Sequence, residues 1–163
     1  MCSSRRVVTM ILPGKTLSSS DIIHLANLLE IPHFSPVRMR DEFHGKSKNR
    51  ETGILNLSPS SMTGSHWCAY YKNGKERYYF DSYGETPPIE LIEYLKTDRE
   101  ILDNCPVIVR NFVTVQHDRS SECGALSLFV LKKLSQGVPF TDIIVYLEKR
   151  YQKYPTPPLK CSP

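Results

Sequence analysis

The segment Cys123–Ser135 constrains this chain more than any other. At helical spacing Leu126, Leu128, Phe129, Val130, Leu131 and Leu134 leave almost no polar face on it. A helix that is apolar nearly all round is buried at the centre of a domain, so the rest of the chain has to enclose it. Ser18-Ser19-Ser20-Asp21 is an N-cap cluster before a helix carrying Ile22, Ile23, Ala26, Leu28 and Leu29, which Pro32 stops. Residues 33–52 read as irregular and charged, anchored by Phe34 and Phe43, and Gly53–Leu57 reads as a short strand. The aromatic runs Trp67–Tyr71 and Arg77–Phe80 flank Asn73-Gly74, a strong hairpin signal. Pro87-Pro88 opens a helix whose apolar face holds Ile89, Ile92 and Leu95. The β-branched run Val107–Val115 predicts one bent strand or two, and Pro139–Tyr151 a helix with Ile143, Ile144 and Leu147 as its stripe. Residues 1–153 read as one domain. Residues 154–163, with four of the twelve prolines, read as a tail without regular packing.

Composition removes several classes of function. A chain of 163 residues buries enough surface to fold without disulfides. No apolar run approaches the ~20 residues of a membrane span, and Val7–Leu12, interrupted by Thr9, is too short for a secretory leader. The five cysteines (Cys2, Cys68, Cys105, Cys123 and Cys161) are odd in number and well separated. That pattern predicts an intracellular protein with reduced thiols. No C-x-x-C pair occurs and the histidines lack zinc-ligand spacing, so no structural metal is expected. Twenty-one basic against seventeen acidic residues leave a net charge of +4, which permits nucleic-acid contact without demanding it.

Three residues then form a chemical pattern. A two-residue turn on Asn73 and Gly74 pairs Lys72 with Lys75 and, counting outwards, places His66 opposite Asp81. Opposed side chains have Cβ atoms roughly 4.5–5.5 Å apart, within reach of a carboxylate–imidazole hydrogen bond. Such a carboxylate fixes the tautomer and stabilises the charged ring. The alternative is that both residues merely cap strand ends. Cys123 opens the apolar helix, where the macrodipole favours thiolate, and Gly124 and Ala125 allow close approach. Cys68, inside the aromatic strand, reads as an inert core thiol, and Ser127 lacks a nucleophile elbow. Gln116 ends the β-branched run seven positions before Cys123, where its amide can serve an oxyanion.

The order of these motifs resembles the adenovirus-type cysteine proteases and, more distantly, the proteases that process ubiquitin-like proteins. The matching segments are Gly64-Ser65-His66-Trp67, Tyr78 to Gly84 around Asp81, Val115-Gln116 and Cys123-Gly124. Further likeness lies in Ile31–Phe34, Met39–Glu42 and Gly53–Leu57, so the resemblance runs from about residue 20 to 150. It implies an α+β fold in the circularly permuted papain-like arrangement, a mixed β-sheet packed against a central helix carrying Cys123. It also implies His66 as base, Asp81 as its partner, Gln116 as oxyanion donor and Cys123 as nucleophile. Adenovirus-type enzymes commonly have Glu where this chain has Asp81, the choice of the ubiquitin-like branch, whereas the seven-residue Gln116-to-Cys123 interval leans viral.

The function so implied is a monomeric cysteine endopeptidase that cleaves at small or glycine-containing sites and matures viral precursor proteins in the host nucleus and virion. The alternatives are a processing or deconjugating protease for ubiquitin-like modifiers, and an acetyltransferase or inactive binding module on the same fold. No small-molecule cofactor is expected. Two activators carry over from the resemblance. One is a peptide joined by disulfide to Cys105. The other is DNA held by the basic segment from Lys132 onward, which includes Lys133, Lys149, Arg150, Lys153 and Lys160.

Overall fold

Alternation along one strand sets the architecture. The computed structural model of the chain describes residues 15–97 and 108–153. Five strands form one mixed sheet in sequence order: β1 (Arg38–Met39), β2 (Arg50–Asn56), β3 (Trp67–Asn73), β4 (Glu76–Phe80) and β5 (Val109–Arg110). The three central strands are antiparallel, and β1 and β5 add to the edges in parallel. Along β3, Trp67 and Ala69 belong to the core on one face of the sheet, Cys68 and Tyr70 to the core on the other. Burial on both faces explains why this strand reads as a nearly unbroken apolar and aromatic run.

The first face is covered by three helices. Helix α3 (Cys123–Ser135) lies in the middle, flanked by α1 (Ser19–Leu28) and α4 (Phe140–Lys153), each packed against it. Nine of the 13 residues of α3 are buried, as its all-round apolar pattern requires. Ser18 and Asp21 form a reciprocal capping box at the start of α1, and Phe140, Ile143 and Leu147 are the buried stripe of α4. The second face is covered by α2 (Ile89–Leu95). Here the structure corrects the expected apolar stripe. Leu91, Tyr94 and Leu95 are buried, whereas Ile89, directly after the N-cap Pro88, is 59% exposed. Helix spacing from Leu91 selects Tyr94 and Leu95 and turns Ile89 outward.

The hairpin register also differs from the expected one. Asn73 pairs with Glu76 and Ala69 with Phe80, so the turn residues are Gly74 and Lys75 rather than Asn73 and Gly74. Gly74 has φ +61° while Lys75 keeps a negative φ, the glycine-first arrangement of a type II′ turn. Continuing this register beyond the paired residues places Asp81 opposite Cys68 and Tyr83 opposite His66. The shift moves each partner by two residues, and a two-residue slip keeps every side chain on its own face. His66 and Asp81 therefore become diagonal rather than direct neighbours. Of the run Val107–Val115, only Val109–Arg110 is strand among the described residues. The following residues are held instead by side-chain hydrogen bonds, those of Asn111 among them. Cys2, Cys105, Cys161 and the proline-rich segment 154–163 lie outside the described residues.

A buried carboxylate ties the second face together. Glu51, 2% exposed, accepts hydrogen bonds from Tyr70 and Tyr94 at 2.8 Å each and lies 3.5 Å from the Arg38 guanidinium. Burial raises its pKa, but the Lys48 main-chain N–H and the two tyrosines more than offset this and hold it below its ordinary value. A depressed folded-state pKa stabilises the protein above the unfolded value, and this contribution is lost as pH falls through the folded one. Glu51→Ala should therefore cost about 3 kcal/mol at neutral pH, since it removes the acceptor of two buried hydroxyls and the counter-charge of Arg38. Glu51→Gln should flatten the acid limb of a melting-temperature profile. An unchanged limb would show that this carboxylate does not govern acid stability.

Candidate active site

The end of the hairpin nearest α3 brings a histidine, a carboxylate and a cysteine together. His66 immediately precedes β3 and Asp81 immediately follows β4. His66 Nε2 and Asp81 Oδ1 are 2.8 Å apart, with the Asp81 side chain 1% exposed. Use of Nε2 by Asp81 leaves Nδ1 as the nitrogen for a second partner. Cys123, the first residue of α3 and 8% exposed, is close enough to His66 for each side chain to act on the other's charge.

Charge follows from this geometry. Burial alone pushes the Cys123 pKa up. The hydrogen bond with His66, main-chain hydrogen bonds at Trp67 and Gly124 and the imidazolium charge together bring it below its ordinary value. For His66, burial disfavours the imidazolium, but Asp81, Cys123 and Cys68 outweigh it and raise its pKa well above the usual range. Both shifts favour a thiolate–imidazolium pair. The helix terminus acts in the same sense. Glu122 at its N-cap is drawn to Arg150 and Ser120 and makes no side-chain cap, so it does not take up the first-turn amides that face a developing anion.

Further residues fix the frame. Asp81 Oδ1 also accepts the Tyr83 main-chain N–H at 2.8 Å, and the Tyr83 ring stacks on His66 with centroids 4.9 Å apart. Asn111 clasps the main chain of Asp81 from both sides, accepting from its N–H at 3.1 Å and donating to its carbonyl at 2.6 Å. Gln116 is 2% exposed. Its Oε1 accepts from the Ser82 hydroxyl, and its Nε2 donates to the Ser120 carbonyl, both at 2.7 Å. The amide thus bridges the loop that carries Asp81 and the loop that leads to Cys123, with one N–H still to give. Gly84 at φ +75° completes the Asp81–Gly84 turn, and a Cβ there would lie 2.8 Å from the Phe112 main chain.

The structure hydrogen-bonds His66 to Asp81, brings Cys123 beside them and sets Gln116 between the loops. Cys68 is the buried core thiol expected, and it also lies beside the pair. Among the described residues, donor atoms of His66, Cys68 and Asp81 lie within 4.8 Å of one another. His66 and Asp81 are hydrogen-bonded to each other at 2.8 Å, and burial, the largest influence, pushes the Cys68 thiol up to about 11. Opposition across the true register would have revealed both Cys68 and Tyr83 in the sequence. Ser127 is fully buried and donates to the Trp67 carbonyl, which removes it as a rival nucleophile. Of the basic segment, Lys132 donates to the Leu29 carbonyl, Lys133 lies over the Phe129 ring, and Arg150 pairs with Glu122.

The fold has a counterpart among solved structures. It is similar to that of the ASFV pS273R protease. The two share 19% sequence identity with a TM-score of 0.55, over 86% of this chain and 66% of that one. A selenomethionine form of the same protease aligns over 69% of this chain and 46% of the other, at 23% identity and a TM-score of 0.42. This chain thus spans about two thirds of the length of the first of these structures. No family model matches the sequence, and no curated protein matches it. Similarity at this level establishes the α+β fold with its mixed five-stranded sheet. Among the described residues, no helix is long and apolar enough to cross a membrane.

The charge pair has a pH signature. Alkylation of Cys123 by iodoacetamide, followed by peptide mass spectrometry, should rise at a pH below the ordinary thiol value, because only the thiolate reacts. Asp81→Asn removes the charge that holds His66 protonated, so the rise should move towards alkaline pH. Coincident profiles for the two proteins would show that Asp81 does not control the pair.

Proposed function

We propose that this chain is a cysteine endopeptidase with Cys123 as nucleophile, His66 as acid and base, Asp81 as its orienting partner and Gln116 as oxyanion donor. The observation that carries the reading is the hydrogen-bonded Asp81–His66 pair beside a cysteine at the start of a buried helix. The thiolate attacks a peptide carbonyl and forms the carbon–sulfur bond. The oxyanion accepts the spare Gln116 N–H and the Cys123 main-chain N–H, and His66 gives its proton to the leaving amine as the C–N bond breaks. His66 then takes a proton from water, which releases the acyl group and frees the thiolate.

Substrate preference follows from access. Cys123 is 8% exposed and the His66 side chain 14%, so only a slim stretch of polypeptide reaches the sulfur. That supports cleavage beside small or glycine residues. The fold likeness to a protease that carries a virus's name supports viral precursor proteins as substrates, in an adenovirus-type enzyme. Glycine-rich tails of ubiquitin-like precursors satisfy the same steric demand and form the second reading.

A glycine-rich peptide library, assayed beside ubiquitin-like precursors, tests both. Wild type should cut, while Cys123→Ala and His66→Ala should be inactive yet folded by circular dichroism. Gln116→Ala should lose roughly 10²–10³-fold in kcat, the cost of one oxyanion donor. Cleavage that survives in Cys123→Ala would sink the peptidase reading. Cleavage confined to the ubiquitin-like precursors would select the second substrate class.

A further inference from the structure

Strand geometry gathers three donors that their spacing in the sequence keeps apart. His66 and Cys68 stand two residues apart at the start of β3, an interval at which side chains share a face of the sheet. The observed register carries Asp81 opposite Cys68 from the end of β4. One ligand atom from each of the three lies within 4.8 Å of the others. Ligand atoms of a tetrahedral zinc ion stand roughly 3.5 Å apart, so the set has to close by only about 1 Å.

A second observation points to a cation. Asp81 Oδ1 binds His66 Nε2 and the Tyr83 main-chain N–H, but Asp81 Oδ2 is buried without a hydrogen-bond partner. A buried carboxylate oxygen that no donor satisfies is a place where added positive charge is favoured. Cys68 and Asp81 are each 0% exposed, whereas the His66 side chain is 14% exposed, so the imidazole is the member an entering ion meets first.

The charge count closes. With Asp81 ionised, His66 protonated and Cys68 a thiol, the three groups sum to zero. With Asp81 ionised, His66 neutral and Cys68 a thiolate they sum to −2, which a divalent cation cancels. Uptake therefore exchanges one dication for two protons and leaves no net charge in the interior. The S–H bond of Cys68 and one N–H bond of His66 break, bonds from the metal to sulfur, nitrogen and oxygen form, both protons pass to solvent, and nothing is oxidised or reduced. A thiolate, an imidazole and a single carboxylate select zinc-like ions over calcium or magnesium, which require shells of oxygen.

We propose that His66, Cys68 and Asp81 form a site for a thiophilic divalent cation of the zinc class, and that its occupancy switches the peptidase pair off. The site stands on the geometry of the three donors. Its consequence rests on the cysteine-peptidase reading: a metal on His66 removes the proton meant for the leaving amine and the imidazolium charge that favours a thiolate at Cys123.

Cobalt(II), a spectroscopic stand-in for zinc, tests the site without any substrate. In the full chain carrying Cys123→Ala, added cobalt should give the near-ultraviolet absorption of a thiolate–cobalt bond, and zinc should abolish it by competition. Adding Cys68→Ala should remove the band. Cys68→Ser keeps the side-chain volume, supplies no thiolate, and serves if the alanine variant fails to fold. Absence of the band in the Cys123→Ala protein overturns the proposal, as does a band that survives loss of Cys68. If neither Cys68 variant folds, nitrogen-15 NMR of the Cys123→Ala protein decides, because zinc should shift His66 Nε2, and an unmoved ring overturns the site. Inhibition is read on the glycine-rich peptides, each protein against its own metal-free rate. Loss of Cys68 should raise the zinc concentration for half-inhibition at least about tenfold, as loss of a ligand weakens a metal site by that order or more. Equal inhibition with and without Cys68 overturns the switch and leaves the peptidase reading standing. A cobalt band in a protein that cleaves no peptide brings down the peptidase reading and the switch with it, and leaves the metal site.

Discussion

The hydrogen bond between His66 and Asp81 is the contact on which the rest of the site depends. At 2.8 Å, with the carboxylate 1% exposed, it places a charge where water cannot screen it. A buried carboxylate without a cation is costly, and an imidazole beside it is therefore driven to hold its proton. The imidazolium in turn makes a thiolate at Cys123 favourable despite burial. Each member is expensive alone, and the chain of three is stable because each offsets the next.

The fold supplies that chain from three separate elements. The antiparallel pairing of β3 and β4 delivers His66 and Asp81 from opposite strands, and the packing of α3 on β3 brings the first residue of the helix beside them. Asn111 and Gln116, from the segment after β5, tie the Asp81 loop to the sheet edge and to the approach to Cys123. This explains why so much polar hydrogen bonding is buried at one end of an otherwise apolar core. The second face of the sheet is organised differently, around Glu51 and its tyrosines.

Much of this was legible in the residue pattern. Helices α1, α3 and α4 announce themselves through a capping box, an all-round apolar run and an amphipathic stripe. The hairpin was legible as a hairpin, but Asn73-Gly74 and Gly74-Lys75 both satisfy the positive φ that glycine supplies, so composition alone does not choose between them. The observed register moves Asp81 from directly opposite His66 to a diagonal. The pairing of chemistry is intact because both registers put the two side chains on one face. The expected register hides Cys68 and Tyr83, whose nearness to the pair follows only from the observed one. Asn111 was hidden for another reason. A polar residue within Val107–Val115 looks like a flaw in a strand, whereas here strand structure gives way to a loop that its side chain holds. Ile89 looked like core because the chain reads apolar after Pro88, yet the helix phase exposes it.

With Asp81 beside them, His66 and Cys123 are driven towards an imidazolium and a thiolate. Nitrogen-15 NMR of the His66 ring, followed through neutral and mildly alkaline pH, reads this without any substrate. Both ring nitrogens should stay protonated well above the ordinary histidine pKa of about 6.5. A ring that loses its proton near that value, in a protein whose Cys123 remains a neutral thiol, would contradict it.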